Sequence, residues 1–200
     1  MPNHVKSQFV INGECESIKK IADRILVTEE YLKEVEARNS ELSDEFKLTP
    51  PELGSLTFDR LIPVPTNVFL GDLSMEDEEK YGKENCWYGW NIKNWGTKWD
   101  AYEVSVDVSD NCISVEFWTA WEHPQPYMEA LAKVCAENGC DLNGEFANED
   151  FGSLMGTYSL LEEAECDGNR LRVQFSDYDG CLYENVWGCP PFDEEEECEQ

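Results

Sequence analysis

The residues of this chain best suited to chemistry are Asn94-Trp95-Gly96-Thr97-Lys98-Trp99. Glycine permits a tight loop, and a lysine set between indoles can hold a ligand by charge and by stacking. The same string also suits a structural task. Gly96 can turn the chain ahead of a strand, while Trp95 and Trp99 close the open end of a core, because indoles are large and on average well buried. The structural task is the expectation. Trp95, Lys98 and Trp99 are the candidate contacts if a ligand or partner binds here.

Other chemistry-bearing residues point less far. His123 precedes Pro124 and follows Glu122, a place where a general base can sit. With no serine or cysteine signature around it, a solvated loop histidine is the expectation. Asp177-Tyr178-Asp179-Gly180 begins like a calcium loop but lacks the third acidic position and the closing glutamate. The chain has 9 cysteines and no CxxC pair. Cys166, Cys181, Cys189 and Cys198 are spaced too irregularly for a zinc knuckle, and reduced thiols in a cytoplasm fit the pattern. No P-loop, GxGxxG, HExxH or GxSxG string occurs. The expectation is a protein without catalytic residues, metal or cofactor, and not an enzyme.

Charge constrains partners more than any motif. The 200 residues carry 43 acids and 15 bases, a net of -28. Residues 1–100 hold 19 acids and 12 bases, whereas residues 101–200 hold 24 acids against Lys133, Arg170 and Arg172. Such a field repels nucleic acid and anionic membranes and draws in basic protein surfaces. A globule of this length is roughly 40 Å across, and 28 phosphates of duplex DNA span about 48 Å, so the charge matches the DNA that a protein this size can imitate. The plainer alternative is a solvated acidic skin. The start of the chain has no apolar run of the roughly 7–15 residues that a secretion signal needs. No apolar stretch approaches the about 18 residues of a membrane span, so neither fate is expected.

The elements that must position these residues follow from periodicity. Ser7–Ile11 reads as a strand ending at an Asn12-Gly13 turn, and Ile18, Ile21, Ala22 and Ile25 mark one face of a helix. A polar helix is expected over Glu29–Arg38, then a loop to residue 57. Phe58–Pro65 is expected to be extended, because its prolines exclude a helix interior. Residues 66–90 read as an insertion rich in aromatics, with a helix capped by Ser74 and closed by Gly82. Tyr102–Val108 and Ile113–Thr119 alternate, with Asp110-Asn111 as a two-residue turn having both residues at positive φ. That register pairs Val108 with Ile113, Val106 with Val115 and Val104 with Phe117, and on the other face Asp107 with Ser114, Ser105 with Glu116 and Glu103 with Trp118. A helix follows Pro124 and ends at Asn138-Gly139, with Tyr127, Met128, Leu131, Ala132 and Cys135 as its buried stripe. Strands are expected near Asp141–Ala147, Gly156–Glu162 and Leu171–Phe175. Residues 177–200 read as an acidic extension, partly disordered.

Strand, helix, paired strands, helix, strand is the order of an α+β, ferredoxin-like sandwich: an antiparallel sheet with helices on one face, here with additional C-terminal strands on a domain of residues 1–176. Specific strings agree. The opening MPN, FDRLIPVP, NWGTKWDAYEV and EFWTAWEHPQPYMEALA resemble the YubB ferredoxin-like family of phage- and plasmid-borne proteins over residues 1–175. Residues 66–90 fit poorly, His4 stands where an aromatic is usual, and the tail has no counterpart. The resemblance implies the topology, with no iron–sulfur cluster and no agreed activity. It also implies a mobile-element protein acting in a bacterial cytoplasm.

The leading functional expectation is an accessory protein that binds and inhibits a host protein's basic, nucleic-acid-binding surface, as anti-CRISPR or anti-restriction proteins do. Its carboxylates would be Glu103, Asp107, Glu116, Glu145, Glu149, Asp150, Glu162, Glu163 and Glu165, with Trp118 as an aromatic anchor. Direct nucleic-acid and membrane contacts are not expected. The alternatives are a small-ligand or enzymatic domain using the NWGTKW loop, and an acidic structural protein or homodimer.

Overall fold

The structure, a computed structural model, describes residues 3–161 and 170–191. Its centre is a six-stranded antiparallel sheet made of β1 (His4–Asn12), β2 (Tyr102–Val108), β3 (Cys112–Ala120), β4 (Asp141–Asn148), β5 (Met155–Leu160) and β6 (Leu171–Phe175). The strand order is β2-β3-β1-β4-β5-β6. The first four of these strands in space make the ferredoxin-like sheet, and β5 and β6 extend it beyond β4.

Alternation writes the two faces. Along β1, Val5, Ser7, Phe9 and Ile11 are buried, and in β3 Ile113, Val115, Phe117 and Thr119 take the same side. α1 (Cys15–Ile25) lays Ile18, Ile21 and Ile25 on this face, and α5 (Gln125–Glu137) adds Tyr127, Met128, Leu131 and Cys135. Phe58 joins the layers by edge contacts to Phe117 and Trp95 and a tilted stack on Tyr127. Losing a large aromatic from such a centre costs about 3–5 kcal/mol. α2 (Glu29–Ser40) starts at Thr28, whose hydroxyl accepts from the Tyr31 amide, and builds a small satellite core from Val27, Tyr31 and Val35.

Three local expectations change. Phe58–Arg60 is a 3₁₀ turn, because Pro63 and Pro65 lie beyond it and the Asp59 carboxylate folds the chain back by accepting the Val64 amide at 2.7 Å. The β2–β3 register holds from Ser105 to Val108, but Trp118 faces Tyr102 instead of Glu103. A bulge inserts one extra residue there, with Glu103 at φ 48°, so Val104 has no direct partner in Phe117. At the hairpin end neither Asp110 nor Asn111 has positive φ. The helix expected inside the insertion has its expected ends, while the next helix runs past residue 90. α3 (Met75–Tyr81) has a reciprocal Ser74–Asp77 cap and ends at Gly82, φ 84°, and α4 (Trp87–Asn94) follows. Phe69 and Cys86 bridge to close the insertion on itself.

The largest difference is at the C-terminus. α6 (Gly180–Trp187) forms inside the extension, starting at the Asp179 carboxylate and ending at Gly188, φ 76°. It packs on the sheet face opposite α1 and α5, so the helical covering is not confined to one face. Glu162, Glu163, Glu165 and the acidic run from residue 193 lie outside the described residues.

Candidate partner-binding face

The NWGTKW loop is built into the fold. Trp95 is buried, donates its Nε1–H to the Ile62 carbonyl at 3.0 Å and packs edge-on to Trp90 and Phe58. Thr97 is buried and donates to the Ala120 carbonyl at 2.9 Å. Gly96 has φ 86°, and a Cβ there would run into the Pro126 ring. Trp95 is therefore withdrawn as a partner contact. Lys98 and Trp99 stay at the surface, with the Lys98 ammonium 4.6 Å from the Trp99 ring centre. The exposed ring of Trp99 leans edge-on to Tyr102.

His123 also moves from expectation. Its side chain is buried, stacks on Phe146 at 4.0 Å between ring centres, and has no hydrogen-bond partner on either nitrogen. Burial lowers its pKa to about 3, so it is a neutral core ring and not a solvated base. Asp100, directly after the loop, accepts from Thr57 Oγ1 at 2.5 Å and from the Phe58 and Ala101 amides at 2.8 Å each. Burial raises its pKa to about 6 against those three bonds.

The outer sheet face, opposite the main core, holds three of the described acidic candidates, Asp107, Glu116 and Glu145. Cross-strand register arranges its residues in rows. One row runs Tyr102, Trp118, Lys6, Ala147 and Met155. The next runs Ser105, Glu116, Gln8, Glu145, Thr157 and Gln174, and the one after it Asp107, Ser114, Val10, Asn143, Ser159 and Arg172. Apart from Lys6, apolar and aromatic side chains make up the first row, and α6 covers its β4–β5 end. Leu182, Tyr183 and Val186 pack with Ala147 and Met155, and Trp187 meets Trp118 edge-on at 5.3 Å. Trp187 also donates to the Ala147 carbonyl and Tyr183 to the Glu149 carbonyl. Trp118, expected as an aromatic anchor for a partner, is instead packed against Trp187 and flanked by His4 and Tyr102.

The polar rows remain open. They floor a shallow cavity of about 510 Å³ walled by Glu116 and Glu145, with Ser114, Asn143, Thr157 and Ser159 between. Gln8 stands at its centre, donating to Glu145 at 3.1 Å and to the Asn185 carbonyl of α6 at 3.5 Å. Glu116 pairs with Lys6 at 3.0 Å. Asp107 and Asp141 extend the acidity along β2 and β4. Among the described residues of this face the cations are Lys6 and Arg172, whereas α1 and α2 interleave Lys19, Lys20, Arg24, Lys33 and Arg38 with Glu16, Asp23, Glu29, Glu30, Glu34 and Glu36.

The other acidic candidates do not join this cluster. Glu149 accepts the His4 amide at 2.9 Å and Asp150 accepts the Asn3 side chain, so both tie down the start of β1. Glu103 is exposed at the bulge and lines a separate cavity of about 580 Å³ along the β2 edge, with Asp100 and Tyr102. His4 donates from Nδ1 to Tyr102 Oη at 2.6 Å, since that hydroxyl is committed to the Thr119 carbonyl at 3.1 Å. What sequence reasoning missed is α6, the element that decides which part of the face stays open.

No helix among the described residues is long and apolar enough to cross a membrane. No family model and no curated protein matches the chain. A solved structure of a protein api92 from Yersinia pseudotuberculosis, assigned to the family model DUF1281, is similar at 9% identity and a TM-score of 0.47, covering 90% of this chain and 99% of that one.

Proposed function

We propose that this chain is a non-enzymatic accessory protein of a mobile element, of the YubB ferredoxin-like kind, that binds and inhibits a host protein in the bacterial cytoplasm. Its docking surface is the open half of the outer sheet face, and the partner surface is basic, of the kind that otherwise holds nucleic acid. The observation that carries this reading is the grouping of carboxylates on an open sheet surface. Asp107, Glu116, Asp141 and Glu145 share one open face with Lys6 and Arg172. A carboxylate cluster of this kind attracts an incoming basic partner and speeds encounter.

The floor of the face suits contact with a chain or helix. Its side chains are short, its hydrogen-bonding groups are Ser114, Asn143, Thr157 and Ser159, and α6 forms a wall on one side. Nucleic acid would meet the same carboxylates with its phosphates and be repelled. A homodimer through one of the sheet edges, β2 or β6, is the alternative that light scattering against concentration separates.

The test is capture of host proteins by the intact chain and by a variant with Asp107, Glu116, Asp141 and Glu145 changed to amides, at low and high salt and with duplex DNA as competitor. The expected result is a partner lost at high salt, displaced by DNA and missing with the amide variant. A partner retained equally by both chains at both salt concentrations contradicts the reading.

A further inference from the structure

β2 is an edge strand, paired on its β3 side alone. The hairpin fixes which backbone groups are left over. The Ser109 amide donates to the Cys112 carbonyl at 2.9 Å, so these two residues form a hydrogen-bonded pair, and such pairs recur at every second residue of an antiparallel ladder. Asp107 with Ser114 and Ser105 with Glu116 are the next ones. The N–H and C=O groups of Val106 and Val108 therefore point away from β3, and among the described residues no loop or helix backbone bonds to them. The bulge also leaves Glu103 and Val104 without a register partner.

A groove of about 580 Å³ runs beside this edge, between residues 102–105 and the loop that carries Pro51, Glu52 and Leu56. Its inner side is apolar and incompletely covered. Val104 and Val106 are half-buried and Val108 is exposed, whereas Val115 and Phe117 on the adjacent β3 are fully buried. Its rim is acidic. Glu52 and Glu103 are exposed along the groove, Asp107 is exposed further along β2, and among the described residues the lining holds no cation. Lys98 lies over Trp99, outside the groove. Edge strands are often blunted by bulges and charges. Here the bulge stops at Ser105, and the regular stretch beyond it keeps its outward groups in line. The charge turns away a second copy, because pairing β2 with β2 would set both Asp107 side chains on one face, where like charges repel.

We propose that the β2 edge takes an extended, basic segment of another protein as an added strand. Its alternate side chains are apolar, toward Val104, Val106 and Leu56, and basic, toward Glu52, Glu103 and Asp107. In strand addition the main-chain bonds supply affinity and the alternating side chains supply preference. The proposal rests on the basic partner proposed above and adds the form in which it binds, a strand laid along the border of the open face.

The test is titration of the full-length protein, followed by amide NMR shifts, with a short synthetic peptide of alternating arginine and valine. Two companion peptides carry the same charge but are N-methylated, one on every valine and the other on every arginine. An antiparallel added strand turns its valine amides to β2, and a parallel one its arginine amides. Saturable shifts at Val104, Val106 and Val108 are expected, with binding at least tenfold weaker for one methylated peptide only. Val106→Pro should weaken the parent peptide by as much, since proline is tolerated on an edge strand where its missing N–H faces solvent. Two methylated peptides of equal affinity overturn the added strand without depending on any variant's folding. If their shifts then map to Glu116 and Glu145, the open-face reading still stands, whereas no saturable shift anywhere overturns both. Slow exchange of the Val106 and Val108 amides in the free protein overturns the proposal as well. It would give the edge to another segment of this chain or, where protection rises with concentration, to a second copy.

Discussion

The two halves of the outer sheet face are neighbours on the same strands, yet their fates differ. At one end Trp118, Ala147 and Met155 lie in a single register row, and α6 covers its β4–β5 end with Leu182, Tyr183, Val186 and Trp187. A few ångströms along the strands, the next rows offer Glu116, Gln8, Glu145 and Thr157, and no described segment covers them. The difference follows from burial chemistry. Apolar rows are stabilised by a helix laid across them, at roughly 25 cal/mol for each Å² removed from water. Carboxylates resist burial unless paired with charge or hydrogen-bond donors. The open half is therefore where an external, charge-complementary surface can dock, and the covered half sets the rigid wall beside it.

The contrast breaks most visibly at Trp187. Changing Trp187 to Ala removes both the Trp118 contact and the bond to the Ala147 carbonyl, and is expected to cost about 3 kcal/mol. Urea unfolding should show the loss, and tryptophan emission should shift to the red as Trp118 meets water. Unchanged stability and emission would mean that α6 does not seal this half.

Beneath the sheet, acid provides the next largest effect. The His123 pKa falls from 6.5 to about 3 on folding, so below pH 6.5 the unfolded chain takes a proton that the fold refuses, and stability declines as pH drops toward 3. The slope is at most about 1.4 kcal/mol per pH unit. Asp100 acts in the opposite sense. Its pKa rises from 3.8 to about 6, so the fold gains a proton between those values that the unfolded chain lacks. The net decline is shallow between pH 6 and 4 and steeper below. Stability measured against pH should flatten below pH 4 in His123→Phe, which keeps the stack on Phe146, and steepen between pH 6 and 4 in Asp100→Asn.

The smallest effect belongs to the open half. Glu116→Gln breaks the pair with Lys6, whose side chains are 49% and 18% exposed respectively, and should change stability by less than about 1 kcal/mol. A loss comparable to that of Trp187→Ala would show that the open acids are structural and not held for a partner.

Much of the scaffold was readable from residue order. The period-two alternation of β1, β2 and β3 and the isoleucine stripe of α1 gave both faces of the sheet, because burial on one side enforces a repeat. The register failed at Glu103, where one extra residue enters a bulge that no pattern in Tyr102-Glu103-Val104 announces. α6 was legible in retrospect. Asp179 and Gly188 mark its ends, and Leu182, Tyr183, Val186 and Trp187 recur at helical spacing, but the surrounding acidity masked the signal. Trp118 could not be placed without α6, since its neighbour Trp187 is 69 positions away.

The central claim is that the open half of the outer face takes a basic partner. Its most direct measurement is NMR shift mapping of the intact protein with an arginine-rich peptide at low and high salt. The account predicts saturable shifts at Gln8, Ser114, Glu116, Glu145 and Thr157, weakened by salt and absent in the Glu116→Gln, Glu145→Gln double variant. Shifts spread evenly over the acidic surface, or unchanged in that variant, would contradict it.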